Sequence, residues 1–299
     1  MRLPARGPDS RYHEAMELRR TESGAAWRRW PGRDDPSRVL VLVHGLASNG
    51  SRWAELAETI CCEPGWTVLA PDLRGHGESE RRGRIDSSVW IRDLLEILSA
   101  EALERCVIGG HCLGANLALR FAHAHPDRAA ALVLVEPMLP EARVGKVRHF
   151  ARFRFLLPIL AIFARGLNLL GIKRKQFPEL DLRELDKKTR KIMAEQESGD
   201  AITRRYAAPI PDMRFLPVAS YLQALDETLK PLPALDEIHA PCLALLSAGG
   251  LFGDPERTRR ALARMPRTVI HTVDARHWIP TEAPGELREH LVAWLKRFD

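Results

Sequence analysis

Long apolar runs and dense basic blocks are both missing from this chain of 299 residues. No apolar run reaches the roughly 20 residues that a membrane-spanning helix needs, so no transmembrane span is predicted. The beginning of the chain is rich in Arg and Pro and has no apolar centre, which is not typical of a signal peptide. The net charge of +6 is modest, and no basic block is interleaved with aromatic residues. Nucleic acid is therefore not expected as a partner.

Cysteine is also scarce, with five residues and no paired spacing. Cys106 and Cys242 fall in apolar patterns typical of buried strands, and Cys61 and Cys62 are adjacent at the end of a predicted helix. Neither a disulfide framework nor a zinc motif has such spacings. We therefore expect no metal site and a reducing, cytoplasmic location, and no motif in the chain predicts a cofactor.

What the chain does contain is an alternation of short apolar strands with helices. The predicted strands are Val39 to Val43, Thr67 to Ala70, Cys106 to Gly109, Ala131 to Val135, Cys242 to Ser247 and Thr268 to Val273. The predicted helices are Ser51 to Cys61, Asp86 to Leu98 with Asp86 as N-cap, Leu113 to His123 and Pro284 to Phe298. A hairpin around Ser23 and Gly24 is expected at one edge. This pattern predicts an α/β fold with a doubly wound, mostly parallel sheet.

The alternation is interrupted once, between about residues 137 and 238. We predict a core domain made of residues 1–136 and 239–299, with a helical cap inserted at residues 137–238. Within the cap, Pro158 is expected to kink or end a helix. Residues 187–197 are expected to form a charged, solvated helix.

The most informative motif is a Gly-x-Cys-x-Gly turn that joins an apolar strand to a helical pattern. This arrangement is a nucleophile elbow, with the thiol of Cys112 in place of the usual hydroxyl. The turn strains the backbone at its centre, so small residues must flank it, and Gly110 and Gly114 do so. A thiol at a helix N-terminus is favoured as thiolate by the helix dipole. The competing interpretation is a buried structural cysteine.

Four pieces of the chain, in this order, resemble the capped α/β-hydrolase family. They are Val39 to Gly45, Pro71 to Ser79, the elbow, and Arg276 to Trp278. The similarity extends over nearly the whole chain and implies an acyl-transfer enzyme. The departure is Cys112, since most members carry Ser. Dienelactone hydrolases resemble the chain at the elbow but lack an insertion as long as this one.

A thiol nucleophile needs a base, and His277 is the candidate. It follows the last predicted strand and precedes the closing helix, in agreement with the order nucleophile, acid, histidine expected of this fold. The chain has 11 histidines, and several of the others have structural interpretations. His44 and His76 belong to turn motifs that are usually structural in the resembling family. His111 occupies the variable elbow position and is expected to point into the scaffold.

Two carboxylates compete for the role of triad acid. The family most often places an Asp after the penultimate strand, yet residues 248–250 contain no carboxylate. Asp254 comes four residues later and could reach His277, although it could instead be the N-cap of a helix. Glu136 directly follows a strand, an arrangement that resembles a subfamily of haloalkane dehalogenases, although it could instead pair with an Arg of the cap. Glu136 is slightly preferred, and both lie at C-terminal strand ends, where such sheets place their chemistry.

The oxyanion hole is expected to consist of two backbone amides. Leu113 follows the nucleophile, and Leu46 follows the turn after the first buried strand. Trp53 and Trp278 flank the expected pocket and are predicted to form its walls.

The cap carries an apolar run from Phe150 to Phe163, further apolar residues up to Ile172, and the cations Lys173 to Lys175. Apolar residues flanked by cations suit a helix lying at a lipid surface. The preferred interpretation is a cap helix whose apolar side covers the active site while Arg side chains reach outward. Either way, an apolar entrance is expected.

The sequence therefore predicts a hydrolase of small apolar esters, lactones or thioesters that works through an acyl-thioester intermediate. An acyltransferase that uses the same acyl-enzyme stays open as an alternative. So does a ligand-binding protein that keeps the fold without turnover. A weak contact of the cap with a membrane surface also stays open, and the oligomeric state is not predicted.

Overall fold

One mixed sheet forms the centre of the structure, a computed structural model that describes residues 16–33, 35, 37–195, 206 and 209–298. Its strands are β1 (Glu17–Arg20), β2 (Ala26–Trp30), β3 (Val39–Val43), β4 (Thr67–Asp72), β5 (Cys106–His111), β6 (Ala129–Val135), β7 (Cys242–Ser247) and β8 (Thr268–Val273). They are ordered β1-β2-β4-β3-β5-β6-β7-β8 across the sheet. The hairpin β1–β2 pairs antiparallel with β4, and all later neighbours are parallel. The predicted doubly wound, mostly parallel sheet with an edge hairpin is present.

Helices flank the sheet and follow its strands along the chain. They are α1 (Ala54–Ile60), α2 (Ser87–Ala100), α3 (Leu113–Ala124), α4 (Gly145–Arg152), α5 (Leu156–Leu169), α6 (Leu182–Glu195), α7 (Pro209–Asp212), α8 (Val218–Leu229), α9 (Pro255–Leu262), α10 (Ile279–Glu282) and α11 (Pro284–Leu295). Short 3-10 turns cover Gly50–Trp53, Pro140–Ala142, Leu235–Glu237 and Lys296–Phe298. Asp86 caps α2 as predicted, because its side chain accepts a hydrogen bond from the Val89 amide at 3.0 Å.

Two hydrophobic clusters cover the two faces of the sheet. One contains Trp90 and Leu94 of α2 together with Phe121 of α3. The other contains Ile60 of α1 and Leu291 of α11. Every residue of β3 is buried, as expected for a parallel strand with helices on both sides. The sheet therefore holds the carboxyl ends of its central strands in fixed positions.

The long connection between β6 and β7 contains helices α4 to α8 and no strand among its described residues. Within it, α5 packs on α8, and α8 packs on α3 of the core. Helix α5 begins two residues before Pro158, so the proline lies in the first turn, where no hydrogen bond is lost. The predicted charged helix corresponds to α6, and residues 196–197 of that prediction lie outside the described residues. The division into a core domain and a cap domain stays a prediction.

The orientation of α5 differs from the preferred interpretation of the cap. Only Leu157 and Ala161 of this helix are buried, while Ile159, Ile162 and Phe163 are exposed. The prediction that its apolar side covers the active site is therefore wrong. The reason is that α5 is apolar on nearly all sides, so hydrophobicity alone did not decide which side packs inward.

Candidate active site

The candidate site lies where the parallel strands end. Cys112 directly follows β5, Glu136 directly follows β6, and His277 lies in the loop after β8. The carboxyl ends of parallel strands meet at one edge of a sheet, and this edge brings together residues far apart in the chain. All three side chains are largely buried.

Cys112 sits in a strained turn. Its backbone has φ 53° and ψ −108°, a conformation that L-residues rarely adopt. The turn is held by a hydrogen bond from the Cys112 amide to the Val135 carbonyl at 3.0 Å. A Cβ atom at Gly114 would lie 2.2 Å from the Val43 carbonyl oxygen, and one at Gly110 would lie 2.3 Å from it. Glycine is therefore required on both sides of the thiol, as the motif predicted.

His277 lies between the thiol and a carboxylate. Its Nδ1 is 3.1 Å from Oε2 of Glu136, and its ring also hydrogen-bonds the thiol of Cys112. Burial by itself lowers the pKa of His277, but the hydrogen bonds and charges of Cys112 and Glu136 raise it to about 10. The imidazole is therefore protonated at neutral pH and can stabilise a thiolate. Since Nδ1 faces Glu136, Nε2 is the nitrogen available to Cys112.

Glu136 is fixed by the strands on either side of it. Its φ of 49° is positive, its amide donates to the Leu245 carbonyl at 2.9 Å, and its Oε1 accepts a hydrogen bond from the Ser247 amide. A non-glycine residue with positive φ costs about 1–3 kcal/mol, which the contacts to β7 must offset. This backbone conformation turns the carboxylate toward His277.

Asp254 lies elsewhere. Its carboxylate accepts a hydrogen bond from the Arg257 amide at 2.9 Å, which makes it the N-cap of α9. Within the described part of the chain, no hydrogen bond or ion pair joins Asp254 to His277. The geometry thus brings Glu136, and not Asp254, to the histidine.

In the loop after β7, a side chain at Gly249 would require the neighbouring loop to shift. The Gly249 amide donates to the Ala275 carbonyl at 2.9 Å, so the two loops run in direct backbone contact. A Cβ atom at Gly249 would lie 2.9 Å from the Cα of Arg276 and 3.0 Å from the Ala275 oxygen. Gly250 follows with φ 57°, which favours glycine. Residues 248–250 therefore support the loop after β8, which carries His277 and is called the histidine loop below, through their backbone.

Two residues that the sequence did not single out for this purpose position the histidine loop. Glu282 accepts hydrogen bonds from the amides of Arg276 (3.0 Å), His277 (3.1 Å) and Trp278 (2.7 Å). His111 lies with Nε2 3.0 Å from the His277 carbonyl oxygen. Burial and the nearby His277 charge hold the pKa of His111 well below its usual value, so the ring is neutral and Nε2–H donates. In the sequence, the spacing indicates this role of Glu282, because it is a carboxylate five residues after His277.

The amides of Leu46 and Leu113 are free to receive an oxyanion. Among the described residues, neither amide donates a hydrogen bond to the protein. Leu113 is the first residue of α3, where amides have no partner within the helix. The loop that carries Leu46 passes close to the thiol, because a Cβ atom at Gly45 would lie 3.6 Å from the Cβ of Cys112.

His44 supports that loop in its neutral form. Its Nδ1 is 2.7 Å from the Gly45 carbonyl oxygen, and its Nε2 accepts a hydrogen bond from the Leu73 amide at 3.0 Å. Burial lowers the pKa of His44 to about 4, despite the hydrogen bond to Gly45. This agrees with the structural role expected for His44.

The two predicted wall residues differ in position. Trp278 is next to the site, with its ring 5.4 Å from that of His277. Phe252, which the sequence did not single out, contacts His277 edge-on at 4.7 Å. Trp53 instead lies in the core cluster around α1, beside a cavity of about 200 Å³ that is also lined by Arg52 and Asp186.

Arg143 is a buried cation near the thiol that the sequence did not single out. Arg143 is 7% exposed and donates to the Thr228 carbonyl at 3.4 Å, and its Nε has no hydrogen-bond partner among the described residues. Burial and the charge of Arg154 lower the pKa of Arg143, whereas the charge of Cys112 raises it. The described residues contain no cluster of three His, Cys, Asp or Glu side chains able to hold a metal ion.

Comparison with known families gives one match that covers most of the chain. The family described as serine aminopeptidase, S33 (Hydrolase_4) matches residues 34–283. This range contains all the residues named above for the candidate site.

Similarity to curated proteins is partial or distant. An uncharacterized protein of Mycobacterium tuberculosis (strain ATCC 25618 / H37Rv) is 39% identical over 143 residues, which cover 45% of this chain and 37% of that protein. The sn-1-specific diacylglycerol lipase ABHD11 of Mus musculus is 24% identical over 268 residues, which cover 86% of this chain and 80% of the lipase. The chain thus spans well under half the length of the mycobacterial relative.

Among solved structures, a thermophilic esterase from Thermogutta terrifontis has the same fold. The TM-score is 0.66 with 20% sequence identity, and the match covers 95% of this chain and 98% of the esterase. It confirms the predicted fold, since the structural match extends over nearly the whole chain.

Proposed function

The chain belongs to the S33 serine aminopeptidase family of α/β-hydrolases, and we propose that it hydrolyses esters of apolar acyl groups through a covalent acyl-thioester on Cys112. The observation that carries the proposal is the position of His277, hydrogen-bonded to Cys112 on one side and to Glu136 on the other. Such an arrangement supplies a nucleophile, a proton carrier and an orienting carboxylate.

The first half of the reaction acylates the thiol. The Cys112 thiolate attacks the ester carbonyl carbon, and the carbonyl π electrons move to oxygen. The amides of Leu46 and Leu113 donate hydrogen bonds to that oxyanion. As the intermediate collapses, the carbon–oxygen bond of the ester breaks, and Nε2–H of His277 protonates the departing alkoxide.

The second half releases the acid. Neutral His277 takes a proton from a water molecule as that water attacks the thioester carbonyl, and collapse of the second intermediate expels the Cys112 thiolate. Glu136 keeps the imidazole in the required orientation through Nδ1 and stabilises its positive charge. The buried position of Glu136 suits this role, since its other oxygen is already occupied by the Ser247 amide.

The substrate class rests on the relatives. A diacylglycerol lipase and an esterase are named among the proteins similar to this chain, and both names denote enzymes of carboxylic esters. We extend the proposal to lactones and thioesters of small apolar acyl groups, because the same attack opens each of them. A cytoplasmic location is part of the proposal and rests on the unpaired cysteines.

A second candidate is an acyltransferase. It is favoured by one observation, the thiol nucleophile itself, because a thioester reacts with amines and thiols more readily relative to water than an oxyester does. The chemistry up to the acyl-enzyme is the same, and only the acceptor differs. A ligand-binding protein without turnover would form no acyl-enzyme at all.

Mass spectrometry of the intact protein separates these candidates. Wild-type protein is mixed with p-nitrophenyl esters from acetyl to hexanoyl, and the mass is followed together with p-nitrophenol release. We expect an acyl adduct on Cys112, turnover in water, and loss of both in Cys112→Ala but not in Cys62→Ala. An adduct that persists until an amine or thiol is added would identify the acyltransferase, and no adduct with any ester would overturn the proposal.

A further inference from the structure

The positive charge of this protein is concentrated in one segment. Residues 142–178 contain nine Lys and Arg residues and no Asp or Glu. The rest of the chain has 36 Lys and Arg residues against 39 Asp and Glu residues, so it is slightly acidic. The segment comprises helices α4 and α5 and the residues that follow them.

Helix α5 presents an apolar face to the solvent. Phe155 and Leu170 flank the two ends of α5, and with Ile159, Ile162 and Phe163 they form a set linked by separations of three, four and seven residues, which places them on one side of the helix. They are 60%, 58%, 69%, 65% and 78% exposed. Exposed apolar residues are normal one at a time, but a continuous apolar helix face marks an interaction surface.

The opposite side of α5 attaches it to the protein. Leu157 and Ala161 are buried there, and Arg165 donates a hydrogen bond to the Gln223 side chain at 2.8 Å. Arg154, just before the helix, forms an ion pair with Asp226 of α8 at 2.7 Å. These contacts fix the helix with Leu157, Ala161 and Arg165 inward and leave its large apolar side chains outward, whereas a surface helix usually buries its apolar side.

Exposed cations stand at both ends of this face. Lys146, Arg148 and Arg152 of α4 precede it, and Lys173 and Lys175 follow it. A helix of 14 residues is about 21 Å long, so the cations bracket a short apolar strip. No helix among the described residues is long and apolar enough to cross a membrane.

We propose that this face docks the protein onto an anionic lipid surface, with α5 lying in the plane of the interface. The apolar side chains would enter the boundary between headgroups and acyl chains, and the flanking cations would contact lipid phosphates. A second copy of the chain fits less well, because pairing two such faces would bring their cations together. The proposal goes beyond the reaction at Cys112 and does not depend on it.

Flotation with lipid vesicles tests the proposal on the chain of 299 residues. The probes are vesicles of phosphatidylcholine with and without phosphatidylglycerol. Wild-type protein should float with the anionic vesicles and much less with the neutral ones, and added salt should weaken the binding. Equal recovery with both vesicles, or none with either, would overturn the proposal.

Paired substitutions identify the surface. Ile162→Gln with Phe163→Gln should lower the vesicle partition constant by about tenfold or more, because two apolar side chains no longer enter the lipid. The control Leu18→Gln changes an exposed apolar residue on β1 and should bind like wild type. Lys173→Glu with Lys175→Glu should lower binding by about fivefold for each cation lost. Lys188→Glu with Lys191→Glu, on exposed positions of α6, is the matched control.

Two further measurements separate a loss of lipid binding from a loss of folding and from a failure of the catalytic proposal. Circular dichroism and thermal unfolding should be unchanged in all these variants, because the altered side chains are exposed. Cys112→Ala should float like wild type, so failure of the catalytic proposal and failure of lipid binding are separable. Concentration-dependent self-association that Ile162→Gln with Phe163→Gln abolishes, without vesicle binding by wild type, would assign the face to a second copy instead.

Discussion

At the scale of single residues, two strained backbones define the candidate site. Cys112 and Glu136 both have positive φ, 53° and 49°, although neither is glycine. Each such residue costs about 1–3 kcal/mol and persists only where surrounding contacts enforce it. The two turns point a thiol and a carboxylate at opposite sides of His277, which no relaxed strand end would do.

Cys112 should be alkylated fastest of the five cysteines. Burial raises the pKa of Cys106, Cys242 and Cys61 to about 12, so these thiols stay protonated near neutral pH. Cys112 is instead paired with His277. Limited iodoacetamide labelling followed by peptide mapping measures the order.

The exposed thiol of Cys62 is the internal control for that experiment. It should label at the rate of an ordinary accessible cysteine, slower than Cys112. In His277→Gln the order should reverse, because Cys112 loses its imidazolium partner. Labelling of Cys62 ahead of Cys112 in wild type would contradict the assignment of the nucleophile.

Glu136→Gln and Asp254→Asn should have very different effects. Glu136→Gln removes the charge that faces His277 Nδ1, and turnover should fall about a hundredfold or more. Asp254→Asn keeps a side chain that caps helices equally well, so turnover and stability should stay near wild type. Steady-state kinetics with an activated ester compares the two, and a larger loss in Asp254→Asn would refute the role of Glu136.

The pH profile of the same variants gives a second readout. In wild type the pKa of His277 is raised to about 10, so the imidazolium keeps its proton below that pH and loses it above. The rate of acyl-enzyme formation should therefore decline on the alkaline side near pH 10, where the imidazolium loses its proton. Without the charge of Glu136 the pKa of His277 is lower, and the decline should begin at a lower pH. An alkaline limb that does not move would exclude direct coupling of the two groups.

At the scale of elements, the loop after β7 acts through its backbone. Gly249 lies so close to Arg276 and Ala275 that a side chain cannot be added without moving the histidine loop. Glu136, at the end of the neighbouring strand β6, reaches His277 from the side. The carboxylate that faces His277 thus follows β6, and the loop that supports the histidine loop follows the adjacent strand β7.

Placing a carboxylate at Gly249, within residues 248–250 where the family most often has its Asp, should therefore fail. Gly249→Asp should destabilise the protein by about 1–3 kcal/mol through overpacking and should lower turnover by displacing His277. The control Gly253→Ala lies in the same loop, where a Cβ atom would have no neighbour closer than 3.7 Å. Thermal unfolding and kinetics measure both variants. A stable, active Gly249→Asp protein would show that the loop is not rigidly packed.

At the scale of the whole molecule, several histidines are buried without charge. Burial lowers the pKa of His44 to about 4 and that of His76 to about 3, and it holds the pKa of His111 well below its usual value. The rings of His44 and His76 lie 5.1 Å apart. These groups tie the stability of the fold to pH.

Stability should fall as the pH drops below about 6.5. In that range the unfolded chain binds protons at these histidines and the folded protein does not, so acid favours unfolding. The stability they contribute is fully present above pH 6.5 and is lost toward pH 4, by up to about 1.4 kcal/mol per pH unit for each histidine. Urea unfolding at a series of pH values measures the slope.

The variant His44→Gln tests whether His44 contributes to this dependence of stability on pH. The absolute stability can change in either direction, but the dependence on pH between 4 and 6.5 should become shallower by about one proton. An unchanged slope would mean that other groups, such as the carboxylates, cause the acid sensitivity.

The sequence by itself determined the sheet, the elbow and the histidine. A run such as Val39 to Val43 is typical of a buried strand, and Gly110 and Gly114 around Cys112 are typical of a turn in which backbones approach closely. His277 was predicted as the base because it follows the last strand and precedes the closing helix. These features are local, because strand pattern, turn chemistry and helix start all lie within a few residues of one another.

Only the tertiary structure decided between Glu136 and Asp254 as neighbour of His277. Both carboxylates follow strands, and their distances to a histidine far away in the chain depend on strand order and loop packing. The orientation of α5 was undecided for a related reason. Its residues are apolar nearly all round, so the side that faces inward was chosen by contacts with α8, in particular the Arg165 hydrogen bond and the ion pair of Arg154. Long-range packing, which no local pattern encodes, therefore placed the carboxylate at the site and the apolar face at the surface.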